Sequence, residues 1–391
     1  MMSRPRDIRR FPAVLGLCLA LAVAAGCSFK KDKVDPPADL AKFKETVRVT
    51  RVWSASVGGA KPVLRLGLGV AVDGDRVFAA GRNGEVTAYA LGTGRTLWHT
   101  KTKVKLSGGP GAGEGVVVVG ASYGDIIALD QATGAIRWKT RVNSEILSAP
   151  AIGGERVVIR SVDGRLHGLD LADGKSLWTA EQPVPKLSLR GVAIPSIAGE
   201  FAVSGFDNGR MLAVSLRDGA TAWEAIIAPP SGRSELDRLV DIDSTVGVMG
   251  DDLYAVTFQG RVARVARDTG QIWWTRDVSS YRGLATDDDG VYVSTADGQV
   301  VKIGRRTGVE MWRTDVLKNR RLSAPAVLGG QVVVADLKGY VHFLDASTGT
   351  LTARASNGGE RVSTPPVVAK DLVLFMNDKG HLAAFRIAPK G

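Results

Sequence analysis

Few side chains in this 391-residue sequence have a type and spacing that could support chemistry. Its four histidines, His99, His167, His342 and His381, each fall within a short strand pattern, and no two have metal-ligand spacing. The acidic run 287–290 lacks the spaced ligands of a calcium loop, so we interpret it as a solvated turn. The sequence has no Gly-x-Ser-x-Gly elbow, no P-loop and no His-Glu-x-x-His motif. This pattern favours a binding protein over an enzyme.

The first 26 residues have the pattern of an export signal. Several arginines precede an apolar stretch, Phe11–Ala25, that is too short to span a membrane. The stretch leads into Ala24-Ala25-Gly26-Cys27, which resembles the cleavage box of bacterial lipoproteins. The resemblance implies that Cys27 becomes the acylated first residue, and that Ser28 after it directs the chain to the outer membrane. Conventional cleavage nearby, with Cys27 unmodified, stays open as the alternative.

Residues 27–45 are charged and contain prolines, so we expect a flexible tether between the lipid and a folded domain over residues 46–391. Cys18 lies in the leader, which leaves Cys27 without a disulfide partner in the mature chain. The net charge of +11 falls to about +8 when four arginines and one aspartate leave with the leader. No cluster of basic and aromatic residues is dense enough to indicate nucleic-acid binding.

A repeat runs through the remaining sequence. A glycine is followed fourteen residues later by a tryptophan six times, and a second glycine lies ten residues after the first. The pairs are Gly84/Trp98, Gly124/Trp138, Gly164/Trp178, Gly209/Trp223, Gly260/Trp274 and Gly298/Trp312. A seventh copy starts at Gly339 with Ala353 in the tryptophan position, and an eighth starts at Gly380. A period of about 40 residues made of short strands and glycine turns is typical of a repeat array.

The third repeat shows the unit. Arg156–Ser161 predicts a strand, Asp163-Gly164 a hairpin turn and Arg165–Leu171 the partner strand, and the repeat tryptophan lies on a third. Ser-x-Pro segments upstream indicate a fourth strand. Eight four-stranded antiparallel units predict an all-β fold, an eight-bladed β-propeller. The last repeat lacks its tryptophan strand, and we expect Arg48–Ala55, which carries Trp53, to complete that blade and close the ring.

The fixed offset of the tryptophans indicates a structural role. A ring at the same place on each blade can pack between neighbouring sheets and bury roughly 200 Å². Ligand stacking is the alternative, and the regular offset argues against it. Trp273, adjacent to Trp274, lies outside the repeat position, and we expect it to be exposed.

The segment Ala128–Trp138 closely resembles the repeat of pyrroloquinoline-quinone (PQQ) dehydrogenases, which are also eight-bladed propellers. This resemblance implies an alternative function as a PQQ-dependent quinoprotein dehydrogenase. Those enzymes are much larger, typically hold a vicinal cysteine pair against the quinone, and bind calcium with acidic and amide side chains. The mature chain lacks such a cysteine pair, so the resemblance supports the fold and not the chemistry.

The leader, the charged tether and the eight PQQ-like blades together resemble the BamB family, lipoprotein subunits of the outer-membrane β-barrel assembly (BAM) machinery. The resemblance covers Cys27–Ile387. It implies a non-enzymatic scaffold without cofactor or metal, held at the periplasmic face of the outer membrane. It also implies docking on the POTRA domains of the barrel insertase BamA, and through BamA membership of the BAM complex. Nascent outer-membrane proteins are a further candidate partner.

Two insertions between repeats, Glu181–Gly191 and Ala228–Asp243, are the expected partner site. Irregular insertions in a repeat protein usually mark the functional face. The resemblance implies that five of their residues contact BamA: Leu187, Leu189 and Arg190 in the first, and Asp241 and Asp243 in the second. In this interpretation the leucines are apolar anchors, and the charged side chains set the polar register.

Other interpretations of these residues stay open. The leucines can fold back onto the blade tops. The aspartates can cap a strand end or pair internally with Arg190, and such a pair can itself shape the binding surface. For the whole chain, a third hypothesis is a propeller that binds another envelope ligand, such as peptidoglycan or a nascent barrel chain, through its axial funnel.

Overall fold

The computed structural model describes residues 35–58, 67–188 and 193–389. Every regular element in these ranges is a β-strand, and the strands form eight sheets. Seven sheets have four antiparallel strands, and one gains a short fifth strand. The predicted eight-bladed β-propeller is therefore confirmed. Within the described ranges, no helix is long and apolar enough to cross a membrane.

Each blade takes its strands from the chain in sequence. The chain opens with β1 (Val47–Ser56) and β2 (Gly67–Leu68). Blade 1 has β3 (Val70–Asp73), β4 (Arg76–Ala80), β5 (Glu85–Ala90) and β6 (Thr96–Lys101). Blade 2 has β7 (Leu106–Gly113), β8 (Val116–Ala121), β9 (Asp125–Asp130) and β10 (Ile136–Arg141). Blade 3 has β11 (Ala151–Gly153), β12 (Arg156–Arg160), β13 (Arg165–Asp170) and β14 (Ser176–Glu181). Blade 4 has β15 (Ser196–Ala198), β16 (Phe201–Gly205), β17 (Arg210–Ser215) and β18 (Thr221–Ile226).

The second half of the ring follows the same order. Blade 5 has β19 (Gly247–Met249), β20 (Asp252–Val256), β21 (Arg261–Ala266) and β22 (Ile272–Asp277). Blade 6 has β23 (Leu284–Thr286), β24 (Gly290–Ser294), β25 (Val300–Gly304) and β26 (Glu310–Thr314). Blade 7 has β27 (Ala326–Leu328), β28 (Gln331–Ala335), β29 (Tyr340–Asp345) and β30 (Leu351–Ser356). Blade 8 has β31 (Val367–Ala369), β32 (Leu372–Met376) and β33 (His381–Pro389), and β1 is its outer strand.

The ring closes between the two ends of the chain. Strand β1 pairs antiparallel with β33 from Val47–Pro389 to Ser56–His381, with one bulge next to Trp53. The predicted completion of the eighth blade by the N-terminal strand is confirmed. This pairing uses the backbone groups of β1 that an open array would leave exposed at an edge.

Neighbouring blades are joined by the repeat tryptophans. Seven tryptophans donate their indole N–H to a backbone carbonyl of the next blade, at 2.6–3.1 Å. Their rings lie against the glycine that turns the third strand of that blade into the fourth. At Gly219, for example, φ is +72° and an added Cβ would lie 2.7 Å from Trp178 Cγ. The glycine is needed both for its left-handed backbone and for the close approach of the ring.

Ala353 replaces tryptophan at the one blade junction where the turn is missing. The third and fourth strands of blade 8 are β33 and β1, which come from opposite ends of the chain. A tryptophan on blade 7 would therefore have no glycine turn to cover. Ala353 is instead buried in a cluster with Val47, Val49 and Ile387, the residues that close the ring.

The tether prediction needs a correction at its C-terminal end. Ala38 N–H donates to Lys318 O and Thr46 N–H donates to Thr352 O, both at 2.9 Å. The compact unit that contains the propeller begins at Pro37. Residues 38–45 are therefore held against blade 7, because backbone groups in and next to this segment form hydrogen bonds there. The leader and Cys27 lie outside the described residues.

Trp178→Ala tests the contacts between blades. Trp178 is buried, so its loss leaves a cavity and an unused carbonyl at Leu216, and we expect the free energy of unfolding to fall by about 3–5 kcal/mol. Trp273 is 50% exposed, and Trp273→Ala should cost less than about 1 kcal/mol. Equilibrium denaturation of both variants measures the difference, and equal losses would contradict the structural role of the repeat tryptophans.

Candidate functional site

One end of the propeller carries both insertions. In each blade the turn between the second and third strands lies at the same end as the connection to the next blade, because the strands alternate in direction. We call this end the loop face. A cavity of about 1150 Å³ lies at the axis, and all eight blades contribute to its wall. Residues of the Ser-x-Pro segments line this cavity. These segments come just before the innermost strands of their blades, a position where the missing N–H of proline costs no strand hydrogen bond.

The second insertion is fixed to the loop face by an apolar residue. Ile242 is fully buried in the core shared by blades 4 and 5, and its N–H donates to Phe206 O at 3.2 Å. Gly205 faces it so closely that an added Cβ would lie 2.1 Å from Ile242 Cγ2. The flanking Asp241 and Asp243 are thereby held in place on either side of this anchor.

A buried acidic cluster results. Carboxylate oxygens of Asp207, Asp241 and Asp243 all lie within 4.8 Å of one another. Asp207 comes from the turn between β16 and β17 and accepts a hydrogen bond at 2.5 Å from Arg160, whose guanidinium lies over the Phe206 ring. One buried ion pair therefore joins the end of blade 3 to blade 4, and the carboxyl groups of the second insertion lie next to it.

The two predicted aspartates have different exposures. Asp241 is fully buried, whereas Asp243 is partly buried and contributes to the wall of the axial cavity. Burial, together with the charges of Asp241 and Asp207, raises the pKa of Asp243 to about 8, and the charge of Arg160 opposes this only in part. Asp243 is therefore mostly protonated at neutral pH and can donate a hydrogen bond.

This cluster suits a proton better than a metal ion. Three carboxylates this close are a donor set for a hard cation such as Ca²⁺ or Mg²⁺. However, Arg160 already pairs with Asp207, and its positive charge disfavours a second cation nearby. The proton that the raised pKa places on Asp243 relieves the repulsion between the carboxylates without a metal.

The first insertion begins at the end of β14 in blade 3, next to blade 4. Gln182 Nε2 donates to Glu224 Oε2 at 2.9 Å, and Gln182 N–H donates to Gly164 O at 2.9 Å. Beyond it, Val184 and Leu187 are 42% and 39% exposed, a large share for apolar side chains. Leu189 and Arg190 lie outside the described residues. Of the predicted set, Leu187, Asp241 and Asp243 lie in blade connections at the loop face.

Comparisons with known proteins agree with this architecture. A family model described as "Outer membrane protein assembly factor BamB" matches residues 82–314 and 296–389. The outer membrane protein assembly factor BamB of Pseudomonas aeruginosa is 44% identical over 371 residues, which cover 95% of this chain and 97% of the relative. That of Xanthomonas campestris is 36% identical, with 96% of each chain covered.

The chain belongs to the BamB family. Among solved structures, BamB from Moraxella catarrhalis has a TM-score of 0.79 at 31% identity, covering 87% of this chain and all of that one. The family's name associates its members with the assembly of outer membrane proteins.

The dehydrogenase alternative is not supported beyond the fold. The quinohemoprotein alcohol dehydrogenase of Comamonas testosteroni is 12% identical with a TM-score of 0.67, covering 88% of this chain and 77% of that one. At this identity the likeness shows the propeller alone. Membership of the BamB family, with full-length relatives, is the closer relationship.

Sequence reasoning missed Arg160 and Asp207, which complete the cluster. One signal was available: Arg160 ends its strand at a position where the other repeats have Ala80, Gly120, Gly205, Val256, Ser294, Ala335 and Met376. A lone arginine at an otherwise small or apolar repeat position predicts a buried ionic partner. Its partner Asp207 lies 47 residues away and could not be identified from the pattern.

Asp243→Asn tests the buried carboxyl. With a folded-state pKa of about 8 above the ordinary 3.8, the folded chain holds this proton more tightly than the unfolded chain. The resulting stabilisation is complete below about pH 4 and is lost as the pH rises through about 8. We expect the free energy of unfolding of the unmodified chain to fall by a few kcal/mol relative to Asp243→Asn across this range. Denaturation curves at several pH values measure it, and a constant difference would contradict the raised pKa.

Proposed function

We propose that this BamB-family protein is a non-enzymatic scaffold that docks through its loop face on the periplasmic POTRA domains of BamA. In this role it joins the BAM complex and assists the insertion of outer-membrane proteins. The observation that carries the proposal is full-length membership of the BamB family, together with two insertions that converge on one end of the propeller.

The chemistry of the loop face supports a protein partner. The two insertions expose three apolar side chains, Val184, Leu187 and Leu236. The same end of the propeller carries the polar groups of the acidic cluster. An interface of this kind places apolar anchors around a few hydrogen-bonding groups that fix the register. Asp243 reaches the axial cavity and is a direct polar contact in the proposal, whereas buried Asp241 shapes the surface from below. Leu189 and Arg190, next to Leu187 in sequence, complete the proposed contact set.

We also propose that the chain is lipid-anchored through Cys27 at the periplasmic face of the outer membrane. The leader pattern before Cys27 supports this, and several acyl chains on one residue hold a folded domain stably at a bilayer. The anchor would supply proximity to a membrane-embedded partner, and the loop face would supply the specific contacts.

Capture by the POTRA region of BamA tests the docking site. We expect Leu187→Ala and Arg190→Ala each to raise the dissociation constant at least about tenfold, because the first removes a proposed apolar anchor and the second a proposed polar contact. The measurement is a titration of the leaderless chain with the POTRA region from the same source.

Leu177→Ala is the matched control for this titration. Leu177 is 41% exposed, close to the value for Leu187, and it lies on the outer strand β14 rather than on the loop face. Its replacement should leave binding unchanged. Equal affinity of all three variants and the unmodified chain would refute the site, and failure of the unmodified chain to bind would refute the partner.

Cys27→Ser tests the anchor. Without the thiol there is no acyl acceptor, so we expect the variant to be absent from the outer-membrane fraction. Separation of inner and outer membranes, with a folded-state check on the tryptophan fluorescence, measures this outcome. Outer-membrane association of the variant equal to that of the unmodified chain would show that lipidation of Cys27 does not hold the protein there.

A further inference from the structure

Blade 7 carries a second buried polar cluster, which the proposed partner site does not use. Asp336 is fully buried and accepts hydrogen bonds from Arg320 Nε at 2.7 Å and from His342 Nε2 at 3.0 Å. His342 Nδ1 in turn accepts from Arg354 Nε at 3.4 Å. This pattern requires the neutral imidazole with its proton on Nε2. We call Arg320, Asp336, His342 and Arg354 the blade 7 clamp.

The clamp has more positive than negative charge. Burial lowers the pKa of His342, so at neutral pH the imidazole is uncharged and Asp336 balances one of the two guanidiniums. Burial lowers the pKa of Arg354, and the like charge of Arg320 lowers it further. The surplus charge needs further acceptors, because a buried guanidinium without partners is costly.

The N-terminal segment supplies these acceptors. Arg320 Nη1 donates to Ala38 O at 2.7 Å, and Arg354 Nη2 donates to Ala41 O at 3.1 Å. The Arg354 guanidinium also lies 5.1 Å from the centre of the Phe43 ring, a cation–π contact. Two arginines of one blade therefore hold three residues of the segment that leads to the first strand.

Backbone and charge contacts continue along residues 37–46, which we call the docked segment. The hydrogen bonds Ala38 N–H to Lys318 O and Thr46 N–H to Thr352 O fix its two ends. The negative charge of Glu45 lies close enough to favour the charged form of Arg354. The apolar side chains of the segment are half-buried and the charged ones are exposed. The half-buried residues are Ala38, Leu40, Ala41 and Phe43, and the exposed ones include Asp39, Lys42 and Lys44.

We propose that the blade 7 clamp is the docking site of the chain's own N-terminal segment, and that docking shortens the leash between Cys27 and the propeller. A leash from Cys27 to Pro37 spans at most about 35 Å, whereas a leash that ran free to Val47 would span about 70 Å. Arg320 lies in the connection from blade 6 to blade 7, and Asp336 lies in the hairpin turn between β28 and β29, both on the loop face. Because Arg320 binds Ala38, the leash leaves the propeller from the face that carries the insertions. The shorter distance to the membrane rests on the lipidation of Cys27 proposed above, whereas the docking of the segment on blade 7 does not depend on lipidation.

Hydrogen exchange tests the docking on the chain from Cys27 to Gly391. We expect the amides of Ala38 and Thr46 to be protected in the unmodified chain, and Phe43→Ala or Arg354→Ala to speed their exchange at least about tenfold. Phe43 lies outside the blades, so its loss spares the propeller fold. Arg386→Ala, which removes an exposed arginine of β33 paired with Asp371, is the matched control and should change nothing in the segment. Unprotected amides in the unmodified chain, or unchanged exchange in both variants, would overturn the proposal.

A supported bilayer tests the leash without BamA or cellular lipidation. Cys27 is the sole cysteine of residues 27–391, so it can be coupled to a maleimide lipid. Neutron reflectometry then gives the distance of the protein layer from the bilayer. We expect Phe43→Ala and Arg354→Ala to move or broaden the layer outward by up to about 35 Å, the length of the released segment, while Arg386→Ala matches the unmodified chain. Coinciding profiles for all four proteins would overturn the shortened leash and leave the docking on BamA unaffected.

Discussion

The contact of a tryptophan with the glycine turn of the next blade is the interaction on which the rest of this structure depends. Each blade is a four-stranded sheet too small to bury its faces alone, so its stability comes from its neighbours. The indole does two things at each junction: it fills the space above a left-handed glycine and donates to a carbonyl of the adjacent sheet. Both need the ring and the turn together, which explains why the two residue types recur at fixed spacing.

The exception at Ala353 follows from the same constraint. Where the ring of blades closes, two strands from opposite chain ends replace the covalent turn, and a tryptophan would have nothing to cover. The alanine packs against Val47 and Val49 instead, so the residues that close the ring are also those that fill the last junction. The chain just before β1 then passes along blade 7, where the clamp holds it. Closure and docking are thus consecutive parts of one N-terminal path.

Two buried ionic clusters lie on the loop face in different blades, and they differ in charge balance. The cluster of Asp207, Asp241 and Asp243 has more carboxyls than its arginine can neutralise, and it holds a proton. The blade 7 clamp has more arginines than its aspartate can neutralise, and it binds backbone carbonyls. In both clusters a neighbouring group compensates the excess charge, because an unpaired charge in a low-dielectric interior is costly. The first cluster shapes the second insertion, and the second cluster positions the N-terminal segment that precedes β1.

The sequence by itself determined the propeller, the number of blades and the closing strand. These features depend on the local chemistry of the turns and on a tryptophan and a glycine at a fixed separation along the chain. Both recur with the repeat period and can therefore be recognised in the sequence. It also located the two insertions, because they interrupt the period. The tertiary structure decided what the period does not encode: that Arg160 meets Asp207, that Asp241 is buried while Asp243 faces the cavity, and that residues 38–45 are docked. Each of these features depends on contacts between residues far apart in the chain. Such residues come within contact distance only in the assembled ring of blades.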